Sequence, residues 1–127
     1  MIWSVAAISI GAALGALLRW QLGLWLNAIQ SIMPLGTLAA NLIGGYLVGL
    51  AFAFFAFHPS LPPQWRLFAI TGFLGGLTTF STFSSEVVSM LHRGQPGAAL
   101  LTAGMHMLGS FALTALGILT FEYLFRR

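Results

Sequence analysis

The sequence has few charged residues and lacks some residue types entirely. Only 6% of the 127 residues are charged, and the chain contains neither lysine nor cysteine. Soluble domains usually carry about a quarter charged residues, so this chain has too few to cover a surface that faces water. The absence of cysteine excludes disulfide bonds, thiol nucleophiles and thiolate metal sites. Lipid is therefore the expected solvent of this protein.

The small excess of positive charge does not indicate nucleic-acid binding. It comes from five arginines against two glutamates, and the arginines are scattered along the chain rather than clustered on one segment. The sequence also has no glycine-rich phosphate loop ending in Gly-Lys, no nucleophile–base pair and no paired catalytic carboxylates. We therefore do not expect an enzyme.

Prolines divide the chain into four long apolar stretches. The mean hydropathy is +0.93, and all five prolines fall in three short zones between the stretches. Because proline ends helices, this pattern predicts four helices over about residues 2–26, 36–57, 65–91 and 97–125. Each is long enough to cross ~30 Å of hydrocarbon, so we expect one all-α membrane domain over residues 1–127. The apolar N-terminus lacks a charged leader and is interpreted as the first span rather than as a signal peptide.

The third stretch carries a polar, glycine-rich interruption. The run from Gly72 to Glu86 (GFLGGLTTFSTFSSE) mixes glycines and hydroxyls with one carboxylate inside an apolar segment. Each glycine weakens a helix by ~1 kcal/mol relative to alanine, and buried hydroxyls need hydrogen-bond partners. We therefore predict that the helix breaks near Gly75–Thr79, through Gly75-Gly76, and exposes free carbonyls and free N–H groups. Carbonyls suit a hard cation such as Na+, whereas N–H groups suit an anion.

Several polar or aromatic residues in the stretches have two interpretations each. Asn41 either bonds a neighbouring helix or presents its amide hydrogens to an anion. Arg19 either extends towards lipid headgroups or places a cation at the mouth of an anion pathway. Phe80 and Phe83 share a helix face, where they either pack together or turn their positive ring edges towards an anion. Glu86 is either a functional intramembrane carboxylate or the partner of nearby hydroxyls.

The fourth stretch has a polar stripe, because His106, Ser110 and Thr114 follow one another at intervals of four residues. No second histidine or carboxylate stands at metal-binding spacing, so we expect no transition metal and assign His106 no role. Small residues four apart predict close helix crossings in the first two stretches. They are Ala7, Gly11 and Gly15, followed by Gly45 and Gly49.

These motifs resemble the Fluc (CrcB) family of bacterial fluoride channels over nearly the whole chain. The matching segments are GAALGALLR ending at Arg19, GTLAANL over 36–42, TGFLGGLTTFSTFS over 71–84, and Gly109-Ser110. The resemblance implies a four-helix subunit of an antiparallel, dual-topology homodimer in the bacterial inner membrane. Such a channel would export cytoplasmic fluoride passively and so reduce its toxicity.

The resemblance also implies roles for individual residues. A structural Na+, which is not transported, would be held by the backbone carbonyls of Gly75 and Thr78, and Arg19 would lie in a vestibule. The implied fluoride pore comprises Asn41, Phe80, Phe83, Ser81, Thr82, Ser110, Thr114 and Glu86.

Two other functions are compatible with four membrane helices. One is a small proton-coupled multidrug exporter, although that mechanism needs a carboxylate in the first helix and this one has none. The other is a membrane scaffold without transport activity, in which glycines and hydroxyls only pack the helices. Orientation is weakly specified, since Arg66, Arg126 and Arg127 are opposed by Arg93 across the predicted spans. A chain of this kind can insert both ways.

Overall fold

The protein is all-helical, with four segments that are long and apolar enough to cross a membrane. A computed structural model describes residues 1–29 and 32–126. Helix α1 comprises Ile2–Leu26 and α2 comprises Leu35–Phe57. The third span, Pro63–His92, is composite, and the last helix of the chain comprises Pro96–Phe125. The four predicted helices are confirmed, and their ends differ from the predicted ones by at most two residues.

The third span contains four helical pieces. It begins with α3 (Pro63–Arg66), continues through a π-helical segment (Leu67–Leu74) and a single turn α4 (Gly75–Leu77), and resumes as α5 (Phe80–His92). The last helix is therefore α6. A π-helical segment widens the helix by one residue per turn, and such segments occur frequently at functional sites.

The break in the third span lies after the glycines and not at them. Gly75 and Gly76 are helical, whereas Thr78 (φ −84°, ψ 154°) and Thr79 (φ −150°, ψ 114°) are extended. The prediction of a break through Gly75-Gly76 is therefore wrong, although the interruption does fall within Gly75–Thr79. β-Branched threonine tolerates extended backbone well. Gly76 has a packing role instead, because a Cβ there would overlap the carbonyl oxygen of Ala12 in α1.

Glycines bring the helices into close contact in two places. Gly11 and Gly15 are buried where α1 crosses the third span, and a Cβ on Gly11 would lie 2.8 Å from the nitrogen of Phe73. Gly49 is buried where α2 crosses α6, and a Cβ there would overlap the carbonyl oxygen of Thr114. The close crossings predicted from the small residues are confirmed. The first crossing packs the broken span against α1, and the second packs α2 against α6.

The outward surface is strongly apolar. Large side chains on α1 and α6 are mostly exposed, including Leu17 (59%), Leu100 (76%) and Leu108 (71%). Water would hydrate such a surface poorly, whereas lipid tails would solvate it well. The exposed hydrophobic residues are therefore consistent with a chain whose solvent is the bilayer.

Candidate functional site

Asn41 of α2 binds both backbone groups of Thr79 at the break. Its Oδ1 accepts a hydrogen bond from the Thr79 N–H (2.7 Å), and its Nδ2 donates to the Thr79 carbonyl oxygen (3.0 Å). A break leaves backbone groups without helical partners, and unpaired groups are costly at membrane depth. The asparagine side chain therefore replaces hydrogen bonds that the interrupted helix cannot make.

The same break redirects the helical donors of two carbonyl groups. In a continuous helix, Thr79 N–H would bond the Gly75 carbonyl, but here it bonds Asn41 (2.7 Å). Likewise Thr82 N–H would bond the Thr78 carbonyl, but it bonds the Thr79 Oγ1 that caps α5 (3.1 Å). The carbonyls of Gly75 and Thr78 thus both lose their helical donors. These are the two carbonyls that the family resemblance implies as sodium ligands.

Arg19 is attached to the break from the side of α1. Its Nε donates to the carbonyl oxygen of Gly76 (3.1 Å), and the side chain is partly buried. Arg19 also lines a pocket of about 310 Å³ together with Thr37, Thr79 and Thr82. The guanidinium of Arg19 therefore contacts the broken span and lines a partly open pocket beside it.

A second pocket, of about 420 Å³, opens between α2, the broken span and α6, and is called the interhelical pocket below. Four of the predicted pore residues line it, namely Asn41, Phe80, Phe83 and Ser110. The Phe80 and Phe83 rings meet edge to face, with centroids 5.6 Å apart and planes at 72°. Phe83 is buried, whereas Phe80 is 75% exposed and projects from the surface of the protein. Phe80 therefore lies at the rim of an open groove, and Phe83 forms part of its wall.

The interhelical pocket is not lined by three other predicted residues, Ser81, Thr82 and Thr114. Thr79 Oγ1 lies 3.0 Å from Thr82 Oγ1 and 3.4 Å from Ser81 Oγ, so these hydroxyls form a cluster. Thr79 and Thr82 also line the pocket that contains Arg19. Thr114 Oγ1 donates to the Gly45 carbonyl oxygen (2.9 Å), which places it at the α2–α6 crossing.

Glu86 lies on α5 about one turn after Phe83 and does not line the interhelical pocket. Its Oε1 accepts a hydrogen bond from Thr37 Oγ1 (2.6 Å), whereas its Oε2 is buried without a partner among the described residues. Glu86 lines a third cavity of about 560 Å³, whose lining also includes Asn27 and Arg93. The carboxylate thus connects α5 to the start of α2, as the hydrogen-bonded interpretation predicted, and one oxygen stays available.

His106 belongs to the site, although no role could be predicted for it from the sequence. It is buried on α6, and its ring stacks on the Phe83 ring (centroids 4.4 Å apart, planes at 27°). It also lines the interhelical pocket. Its Nδ1 lies 3.0 Å from Asn41 Nδ2. The stripe of His106, Ser110 and Thr114 was the available signal, but it could not reveal a contact between residues 65 positions apart.

Four membrane-length helices, an interrupted span and a polar site at the interruption define a class of protein. Irregular backbone at membrane depth persists where it is buried in protein or lines a water-filled cavity, and polar groups placed there mark ion and substrate pathways. The fold and site therefore define a small multi-pass membrane protein whose third span is interrupted and makes polar contacts at the interruption.

The comparison with known families agrees with this class. The family model described as "CrcB-like protein, Camphor Resistance (CrcB)" matches residues 6–118, so the chain belongs to the CrcB family. A relative in Burkholderia cenocepacia (strain J2315), named "Fluoride-specific ion channel FluC", is 60% identical over 120 residues, which cover 94% of each chain. Proteins of the same name in Cupriavidus metallidurans (strain CH34) and Burkholderia pseudomallei (strain 668) are 59% and 58% identical.

Proposed function

We propose that this protein is a fluoride-specific ion channel that lets cytoplasmic fluoride leave the cell passively. Its relatives bear that name at up to 60% identity over almost their whole length. The observation that carries the proposal is the break at Thr78-Thr79 in the third span, beside a mostly apolar pocket that Asn41, Phe80 and Ser110 line. Passive conduction forms and breaks no covalent bond, so the protein is not an enzyme.

The chemistry of the pocket suits a small, strongly hydrated anion. A pore must replace the hydration shell of fluoride, yet bind the ion weakly enough for it to leave. Uncharged donors and ring edges satisfy both requirements, since they attract an anion without the grip of a full positive charge. We assign the role of weak anion ligand to Phe80, Phe83 and Ser110 in the interhelical pocket. The hydroxyls around Thr79 beside Arg19 have the same role. Arg19 then raises the local fluoride concentration at the mouth.

We further propose that two subunits assemble as an antiparallel homodimer in the bacterial inner membrane. The interhelical pocket contains polar groups but opens to the outer surface of the helices. Phe80 and Phe111 at its edge are 75% and 65% exposed. Lipid tails would leave those polar groups unsatisfied. A second copy that covers the groove would close it into a pore. Arg66 and Arg126 at one end of the spans and Arg93 at the other give little orientation bias, which supports insertion in both directions.

A structural Na+ completes the proposal. The carbonyl oxygens of Gly75 and Thr78 are the type of ligand that a hard cation prefers, and the break removes the helical donors of both. One chain offers too few such oxygens for a full coordination shell, so an ion on the dimer axis would receive the same pair from each subunit. Bound there, Na+ would neutralise carbonyl dipoles and join the two breaks.

Efflux from liposomes tests the channel assignment. Purified protein is reconstituted with internal fluoride or internal chloride, and release is followed with ion-selective electrodes. We expect rapid release of fluoride and negligible release of chloride. A folded protein that releases no fluoride would contradict the proposal and favour the membrane scaffold instead.

Labelling tests the antiparallel arrangement separately. Because the chain has no cysteine, Ser60→Cys in the exposed connection before α3 provides a single reactive thiol. A membrane-impermeant reagent added outside sealed vesicles should label part of the protein and, after lysis, the remainder. Complete labelling from one side would contradict dual topology without affecting the channel assignment.

A further inference from the structure

A groove of about 220 Å³ lies between the C-terminal ends of α2 and α6, and we call it the α2–α6 groove. The two helices run side by side in the same direction, because Gly49 packs on Thr114 and the Phe57 ring contacts the Phe121 ring. The groove shares no lining residue with the interhelical pocket. Its apolar wall consists of Phe52, Ala53, Ala56, Phe57, Ile118 and Phe121.

The groove lies where the spans end. Helix α2 ends at Phe57, the third span begins at Pro63 and α6 ends at Phe125, so all three have an end at this level. Trp65 and Tyr123 are exposed beside these ends. Exposed tryptophan and tyrosine rings are enriched where lipid headgroups meet the hydrocarbon. Lipid phosphates are therefore expected at the same level as the groove.

Two arginines from different spans flank the groove. Arg126 lines it, and its Nη1 donates to Glu122 Oε1 (3.3 Å), although both side chains are exposed. A guanidinium has several N–H donors, so this one contact leaves others for an anion. Arg66 lies at the start of the third span, with its guanidinium carbon 5.3 Å from the centre of the Phe52 ring in the groove wall. Arg66 has no carboxylate partner among residues 1–29 and 32–126. The end of the groove therefore carries more positive than negative charge.

We propose that the α2–α6 groove binds an anionic glycerophospholipid of the bilayer, with an acyl chain against the apolar wall and the phosphate between Arg66 and Arg126. Guanidinium groups bind phosphate through strong, often bidentate hydrogen bonds, and basic pockets between membrane helices bind anionic headgroups. A headgroup with its own ammonium binds less well, because that ammonium competes with the arginines for the phosphate. The bound lipid connects the start of the third span to the end of α6, so it stabilises the folded protein. This inference does not depend on which ion the protein conducts.

Thermal unfolding in the presence of lipid tests the proposal. The purified full-length protein in a neutral detergent is titrated with phosphatidylglycerol, or with phosphatidylcholine of the same acyl chains, and unfolding is followed by circular dichroism. We expect phosphatidylglycerol to raise the midpoint temperature and phosphatidylcholine to raise it much less. Glycerol phosphate, which has the phosphate but no acyl chain, should leave the midpoint unchanged at the same concentration. Equal effects of the two lipids, or a full effect of glycerol phosphate, would overturn the proposal.

Charge variants test the two arginines. Arg66→Gln and Arg126→Gln should each weaken the apparent affinity for phosphatidylglycerol by roughly tenfold. The matched control is Arg93→Gln, which removes an exposed cation at the other end of the spans and should leave the affinity unchanged. Glu122→Gln removes the carboxylate that opposes the phosphate, so it should strengthen binding, which a damaged fold would not do. Equal weakening by Arg93→Gln, or weaker binding in Glu122→Gln, would refute the site.

A bulky side chain in the groove tests the position of the acyl chain. Ala56→Trp fills the groove, whereas Ala115→Trp places the same ring on an exposed part of α6 outside it. We expect only Ala56→Trp to weaken the response to phosphatidylglycerol, with the oligomeric state of both variants unchanged in size-exclusion chromatography. Equal responses in the two variants would contradict an acyl chain in the groove. Dissociation of Ala56→Trp, together with no lipid response in the wild-type protein, would show that a second copy covers the groove and would overturn the lipid site.

Discussion

The hydroxyl of Thr79 is predicted to stabilise the break, and the substitution Thr79→Val isolates its contribution. Valine preserves the β-branched shape and the extended backbone at the N-cap of α5. It removes Oγ1, which accepts the N–H of Thr82 (3.1 Å) and lies 3.0 Å from Thr82 Oγ1. Loss of an N-cap side chain costs about 0.5–2 kcal/mol, and the Thr82 N–H would lose its acceptor. We therefore expect a loss of about 1–2 kcal/mol in the free energy of unfolding.

The assay is unfolding of the purified protein by sodium dodecyl sulfate in mixed micelles, followed by circular dichroism. The matched control is Thr120→Val on α6, whose hydroxyl only donates to the Leu116 carbonyl within the same helix (2.7 Å). That carbonyl keeps its backbone hydrogen bond in the helix, so the control should hardly change the free energy of unfolding. Thr79→Ser retains the cap and should unfold close to wild type. Equal stability of Thr79→Val and Thr120→Val would refute the proposed role of the cap.

Three further predictions concern conduction, the cation and helix packing. Phe80→Ile and Phe83→Ile should each lower fluoride efflux while the protein stays dimeric, since isoleucine has no positive ring edge; wild-type efflux in both would contradict the role of the two aromatic rings. Replacement of Na+ by a large organic cation should lower efflux and thermal stability, because the carbonyls at the break would lose their ligand; full activity and stability without Na+ would argue against a structural ion. Gly49→Ala should destabilise the protein by about 1–3 kcal/mol, because its Cβ would overlap α6. Gly104→Ala, where a Cβ meets nothing within 4 Å, should be neutral or stabilising in the same unfolding assay.

The family comparison and the structure support different parts of the functional argument. The match over residues 6–118 establishes the family, and the names of close relatives supply the ion. The structure adds the local chemistry: an asparagine that binds the broken backbone, a capped helix start at Thr79, and an arginine on the Gly76 carbonyl. The channel proposal requires both, since neither the name nor the geometry alone explains how an anion would cross.

The location of the break shows where reasoning from local sequence is misleading. Glycine lowers helix stability in isolation, so Gly75-Gly76 was the natural place to predict an interruption. In the folded protein Gly76 allows α1 to approach the third span, and the helix is interrupted at two threonines instead. Propensity is a weak preference that tertiary contacts override, and here the contact with Ala12 and the hydrogen bonds from Asn41 decide the outcome.

Local features of the sequence were sufficient to predict the class of the protein and the approximate ends of its helices. Proline positions and apolar length are local properties, so four spans and a polar interruption in the third could be predicted without a structure. The small-residue spacing of Gly11, Gly15 and Gly49 likewise predicted close crossings. Which polar groups form hydrogen bonds with one another depends on the tertiary packing of the helices. Asn41, Thr79 and His106 come from three different spans, and their mutual hydrogen bonds depend on how those spans pack. Hydrogen bonds act over about 3 Å, so a partner distant in sequence becomes visible only when the helices are placed.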